Sequence, residues 1–162
     1  MIRTEDGSPG SQATDATSDS DNEHDAIVVG AGAAGVGVAV ALAHAGIERL
    51  VVLERHAVGA SFERWPLETR FLTPSFPTNS IGMLDINAAA IGTSPAFTLR
   101  VEHPSGRDYA RFLKGTAAYY GVPVRTGIDV LGLTREDERW RVDTTAGAIR
   151  ARHVVWAAGE FQ

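Results

Sequence analysis

One stretch of thirty residues, Asp25 to Glu54 (DAIVVGAGAAGVGVAVALAHAGIERLVVLE), limits what this chain can fold into. The apolar run Ala26 to Val29 reads as a buried parallel strand. Gly30, Gly32 and Gly35 then follow in the G-x-G-x-x-G spacing. A helix of small apolar residues runs on to about Ala45, and Gly46 stands where a left-handed helix stop is wanted. A second apolar run, Leu50 to Leu53, ends at the acid Glu54. The order strand, glycine turn, helix, strand, acid is that of a dinucleotide-binding unit. Gly30 permits the tight turn, Gly32 lets a pyrophosphate approach the backbone, and Gly35 lets the helix pack on the sheet. The helix N-terminus offers free N–H groups and the positive end of its dipole to the phosphates. Ala33 and Ala34 belong to the same turn. Glu54, 22 residues after Gly32, is placed to accept hydrogen bonds from a ribose diol.

Ala26 to Gly46 carries no formal charge and is long enough to span a bilayer. It also holds five glycines and His44, with an acidic flank at Asp25. Phosphate binding accounts for the glycine spacing and a membrane does not, so no membrane association is expected.

At 162 residues the default is one domain, and 44% apolar residues suffice for a core. The absence of cysteine excludes disulfides, thiolate metal sites and a dithiol redox pair within this chain. No metal ligand set stands out. The start, MIRTEDGSPGSQ, lacks the apolar core of a secretory signal, which makes the cytoplasm the expected location. The net charge of −5 is unevenly placed. Residues 1–25 carry seven acids and one base, and the remainder is close to neutral. Residues 1–24 lack the apolar content to fold and read as a disordered acidic tail, leaving 25–162 as the domain. The bases are arginines almost throughout and are scattered, so no nucleic-acid interface is expected.

Arg55 to Arg100 shows no sustained helical or strand period yet carries Phe62, Trp65, Phe71, Phe76 and Phe97. Such a stretch is expected to be a folded loop wrapped against a ligand or a partner domain. Ser105 with Asp108 fits a capping box, and Tyr109, Phe112, Leu113, Thr116, Ala117 and Tyr120 share one face of the helix that follows. His103, just before the cap, is expected to have a local structural role. Gly121 stops the helix, and Val122 to Val130 is expected to be a strand. Trp140 to Thr144 and Ala148 to Arg152 read as meander strands, and His153 to Ala157 as a final strand ending at Ala158-Gly159.

Four stretches in this order carry a family likeness: GAGAAG at 30–35, SFERWPLETRFLTPSF at 61–76, HPSGRDYARFL at 103–113 and VVWAAGEFQ at 154–162. With them, residues 26–162 resemble the FAD-binding half of flavoproteins with two dinucleotide-binding domains. These include flavin-containing monooxygenases, thioredoxin-reductase-like enzymes and the group containing bacillithiol-disulfide reductases. The resemblance implies an α/β, Rossmann-like FAD/NAD(P)-binding domain: a parallel sheet with an inserted antiparallel meander. It implies FAD on Gly30, Gly32, Ala33, Ala34 and Gly35, with Glu54 at the ribose and Arg55 at the adenosine border. It places Val130 at the adenine, Ala158 and Gly159 over the far side, and Trp65 and Thr73 toward the flavin. NAD(P)H would be the co-substrate, and the partner a small molecule.

Relatives continue into a second glycine-rich domain and a Gly-Asp motif that have no counterpart in this sequence. The sheet is therefore expected to be C-terminally incomplete, and the chain to be a fragment that associates with a missing downstream half or with itself. The function read from all this is an FAD-dependent oxidoreductase that uses NAD(P)H, with no catalytic residue assigned. Two other readings stay open: a nucleotide-binding fragment without catalysis or a remnant that binds no cofactor tightly, and a simple NAD-dependent dehydrogenase. The second would leave the 55–100 loop and the meander unexplained.

Overall fold

The structure is a computed structural model that describes residues 22–76 and 84–159. The glycine-rich unit forms as its pattern dictates. β1 (Glu23–Val29) leads into α1 (Ala33–His44), and β2 (Leu50–Glu54) lies parallel to β1 with Ala26 opposite Leu50 and Val29 opposite Leu53. Both strands are buried on both faces, which is why they read as unbroken apolar runs. Gly46, at a φ of 84°, ends the helix where expected. β1 starts at Glu23, so His24 belongs to the sheet rather than to the tail. The tail expected at 1–24 otherwise lies outside the described residues.

Six strands form one sheet in the order β3-β2-β1-β6-β5-β4. β3 (Val124–Thr126), β2, β1 and β6 (Gly147–Trp156) run parallel. β4 (Val130–Glu136), β5 (Arg139–Thr144) and the start of β6 form the antiparallel meander. The expected parallel sheet with an inserted meander is thus the observed architecture.

Three sequence readings need correction. Val122 to Val130 is not one strand. Pro123 lacks an N–H, and Gly127, at a φ of 73°, turns the chain, so β3 keeps three residues and Val130 opens β4. β4 itself alternates too poorly to be seen as a strand in the sequence. Ala148–Arg152 and His153–Ala157, read as two strands, are one. The first half of β6 pairs with β5, from Trp140 opposite Ala151 to Thr144 opposite Gly147. From Arg150 onward it pairs with β1.

Two apolar layers flank the sheet. On one face α1 covers Ala26, Val28, Leu50 and Val52 through Ala39 and its neighbours. On the other, the sheet coils so that Val142, Ile149 and Ala151 of the meander join Ile27, Val29, Val51 and Leu53. A third cluster lies outside the sheet. α4 (Gly106–Tyr119) is capped by Ser105, whose hydroxyl accepts from the Asp108 N–H while the Asp108 carboxylate accepts from the Ser105 N–H. Its buried face presents Tyr109, Phe112 and Leu113.

The described residues of the stretch expected to be an irregular folded loop pack on α4 and include two short helices, α2 (Ala60–Glu63) and α3 (Pro95–Leu99). Phe71 packs on Tyr109 in a tilted contact and Phe62 edge-on, with ring centroids 4.5 Å and 4.8 Å away. Phe97, by contrast, is exposed. His103 has the local role expected of it, its Nδ1 lying 2.9 Å from the Phe71 carbonyl oxygen. Polar groups complete the anchorage of this region. Asn87 donates its side-chain amide to the Thr73 carbonyl and to Ser75 Oγ, both at 2.9 Å. The buried Asp85 carboxylate accepts from Ser94 Oγ at 2.6 Å and from the Asn87 N–H at 2.9 Å.

Candidate dinucleotide cleft

The cleft opens where the parallel strands end. Gly30 N–H donates to the Leu53 carbonyl at 2.8 Å, and Ala157 N–H donates to the Val29 carbonyl at 2.8 Å. These bonds hold the ends of β1, β2 and β6 together beneath the glycine turn. A Cβ on Gly30 would lie 2.7 Å from the Ala157 carbonyl oxygen, and one on Gly35 would lie 1.9 Å from the Gly30 carbonyl oxygen. Neither position has room for a side chain. A Cβ on Gly32 would meet nothing within 4 Å. Gly32 is therefore not a packing glycine, and the space above it belongs to a cleft of about 570 Å³. That volume falls in the range of small-molecule and cofactor sites, about 300–1,000 Å³.

Glu54 stands at the tip of β2 beside this turn. Its Oε2 accepts from the Ala31 N–H at 2.8 Å, and its Oε1 accepts from the His56 N–H at 2.8 Å. Both oxygens are thus oriented by backbone, and each keeps lone-pair capacity for a further donor. Beyond Glu54 the wall is made by the turn between β3 and β4. Ile128 N–H donates to the Glu54 carbonyl at 3.0 Å. Arg55 Nε donates to Asp129 Oδ1 at 2.9 Å, and the Asp129 N–H donates to Thr145 Oγ1 at 3.0 Å. This end of the cleft is therefore polar and tied together by named bonds.

The structure brings most of the residues singled out in the sequence to one place. Gly30, Gly32, Glu54, Arg55, Trp65 and Val130 all line the cleft, and Ala158 and Gly159 close its rim. Four others do not line it. Gly35 is buried under the turn, and Ala33 packs toward the Tyr109 cluster. Ala34 is exposed on the first turn of α1. Thr73 is exposed, held by its carbonyl to Asn87, and contributes nothing to the lining.

Sequence reasoning did not reach Ser61, Arg64, Ile128, Asp129 and Trp156, which also line the cleft. Their signals were weak for physical reasons. Ser61 sits on α2 and Arg64 caps its C-terminus, and this single turn is too short to show a period. Asp129 belongs to a turn that the sequence reading had absorbed into a strand. Trp156, 54% exposed, lies at the end of β6 where an apolar residue read as ordinary strand filling.

The residues present suit a dinucleotide: an open backbone turn, a positioned carboxylate and, beyond it, an end held by the Arg55–Asp129 pair. Among the described residues, no group of His, Asp and Glu is placed to hold a metal ion, and no helix is long and apolar enough to cross a membrane.

Comparison with known proteins agrees with this geometry. Residues 27–162 match the family model described as pyridine nucleotide-disulphide oxidoreductase. Among solved structures, bacillithiol disulfide reductase Bdr from Staphylococcus aureus superposes with a TM-score of 0.69 at 19% identity, over 85% of this chain and 39% of that one. The flavin-containing monooxygenase from Stenotrophomonas maltophilia gives 0.66 at 21% identity, over 85% and 39%. The thioredoxin reductase of T. acidophilum gives 0.55 at 21%, over 83% and 35%. At these identities the likeness is one of fold, and the chain spans about two-fifths of the length of the first two structures.

Proposed function

From the premise that this chain belongs to the pyridine nucleotide-disulphide oxidoreductase family, we propose that its cleft binds FAD and that it serves an FAD-dependent oxidoreductase using NAD(P)H. One observation carries the reading: the space above Gly32 is open and is shared with a carboxylate, Glu54, whose two oxygens are already aimed by backbone N–H groups. Gly32 and the α1 N-terminus would take the diphosphate, Glu54 the ribose diol, and Val130 the adenine edge. Trp65 and Ala158-Gly159 would border the remainder of the ligand. When bound, FAD supplies the hydride and electron transfer. The residues of the cleft then bind, orient and shield. Among the described residues no hydrogen bond pairs a nucleophile of the cleft with a base, which suits a site whose redox chemistry resides in a cofactor.

A simple NAD site is the competing reading. The stretch from Arg55 to Arg100 speaks against it, because its described residues are folded onto α4 by an aromatic cluster and a buried polar network rather than replaced by alternating strand and helix. The test is to incubate the purified chain with FAD or NAD separately and pass each mixture through a gel-filtration column. A flavin absorption band that elutes with the protein supports the proposal. Retention of NAD with exclusion of FAD would replace it by the simple dehydrogenase.

A further inference from the structure

We propose that Arg64 is the cation that receives the diphosphate of the bound dinucleotide, an assignment that rests on reading the cleft as an FAD site. The argument begins with α2. Gly59 N–H donates to the Ala31 carbonyl at 2.9 Å, which fastens the start of α2 to the glycine turn. Residues four apart on a helix share a face. Arg64, the C-cap just past Glu63, keeps a right-handed helical backbone (φ −84°, ψ −5°) and so continues the face of Ala60; both line the cleft together with Ser61. The opposite face is committed elsewhere. Phe62 packs on Tyr109 and Phe71, and Glu63 pairs with Lys114 of α4. The helix therefore cannot rotate Arg64 out of the cleft without giving up those contacts.

The charges of the cleft point the same way. Four of its lining residues carry formal charge: Glu54, Arg55, Arg64 and Asp129. Glu54 is held by two backbone N–H groups. Arg55 and Asp129 pair with each other at 2.9 Å. The Arg64 guanidinium has no hydrogen-bond or ion-pair partner among the described residues. A diphosphate brings about two negative charges into a site that already holds the Glu54 carboxylate. The N-terminus of α1 answers with about half a positive charge. One further cation in the cleft reduces the remaining excess of negative charge, and a guanidinium can meet two phosphate oxygens at once.

The experiment compares adenosine with ADP, which differ by the diphosphate alone. Binding is followed by quenching of tryptophan fluorescence, because Trp65 and Trp156 line the cleft. The wild-type chain should bind ADP more tightly than adenosine. Arg64→Gln should lower ADP affinity about tenfold, the scale of one charge-assisted contact, and leave adenosine affinity unchanged. Arg64→Lys should restore part of the loss, and the salt dependence of ADP binding should be shallower in Arg64→Gln. The side chain is exposed, so thermal melting should not change. If Arg64→Gln keeps the wild-type preference for ADP, the assignment of Arg64 is overturned while the cleft reading stands. Equal loss of adenosine and ADP would mark Arg64 as structural and also overturn it. If the wild type binds neither nucleotide, the cleft reading fails, and the role of Arg64 with it.

Discussion

Ala31 donates its backbone N–H to Glu54 Oε2 at 2.8 Å, joining the glycine turn to the tip of the neighbouring strand. Ala31 is fully buried, and the His56 N–H holds the other oxygen, so the carboxylate is oriented before any ligand arrives.

Glu54→Gln keeps the shape and reverses this fit on one side, because the amide must present either its NH₂ or a neutral oxygen to two N–H donors. We expect a loss of about 1.5 to 3 kcal/mol of stability, the scale of a hydrogen bond to a charged group. Weaker nucleotide binding should accompany it. Urea unfolding of the two proteins checks the first part and nucleotide titration the second.

Two glycines three residues apart should respond in opposite ways. Gly35→Ala puts a methyl group 1.9 Å from the Gly30 carbonyl oxygen, with backbone on both sides of the clash. It should cost at least about 2 kcal/mol, as overpacking of a rigid site does. The Cβ of Gly32→Val meets nothing within 4 Å and the cleft lies open above it, so this variant should leave the melting temperature almost unchanged. Equal melting temperatures for the two variants would contradict this account of the turn.

How far the sequence could be read follows from the reach of each interaction. The unit from Ala26 to Glu54 was legible because every part of it is local: an apolar run, a spaced glycine turn, a helix, a stop. The capping box at Ser105 was legible for the same reason. The meander was half legible. Its turns show as Glu136–Glu138 and Ala146-Gly147, but β4 carries exposed residues on both sides and so loses its alternation. β6 was cut in two because its partner changes from β5 to β1, a long-range event that leaves no local mark. The cleft followed the same rule. Gly30, Gly32 and Glu54 lie in the local motif, whereas Arg64 and Asp129 reach it only through the packing of α2 on α4 and the turn before β4.

The cap of α4 gives a further test. Ser105 Oγ accepts from the Asp108 N–H at 3.1 Å and donates to Asp108 Oδ2 at 2.6 Å. This contact, with Arg111 nearby, holds the Asp108 carboxyl below the usual carboxylate range. Ser105→Ala should remove about 1 kcal/mol, the usual cost of losing an N-cap. Chemical denaturation at neutral pH reads it directly.

His24 should make stability depend on pH. It is buried on β1, its Nε2 has no hydrogen-bond partner among the described residues, and Arg125 and Arg49 lie close enough to oppose a positive charge. Burial first, and then these two arginines, lower its pKa, against the opposing pull of Glu23 and Asp25. A histidine whose folded pKa is lowered takes up its proton more readily in the unfolded chain. Its contribution is therefore fully present above the unfolded pKa, about 6.5, and is lost as the pH falls below it. His24→Val should flatten the fall in stability between about pH 7 and pH 5. Denaturation midpoints of both proteins across that window supply the comparison.

Titration of the purified chain with FAD, followed by tryptophan quenching in the wild type and in Gly32→Val, tests the dinucleotide cleft most directly. Saturable binding of one FAD per chain, lost in Gly32→Val while its melting temperature holds, is the expected result. Absence of saturable binding in the wild type, or binding that Gly32→Val leaves intact, would contradict it.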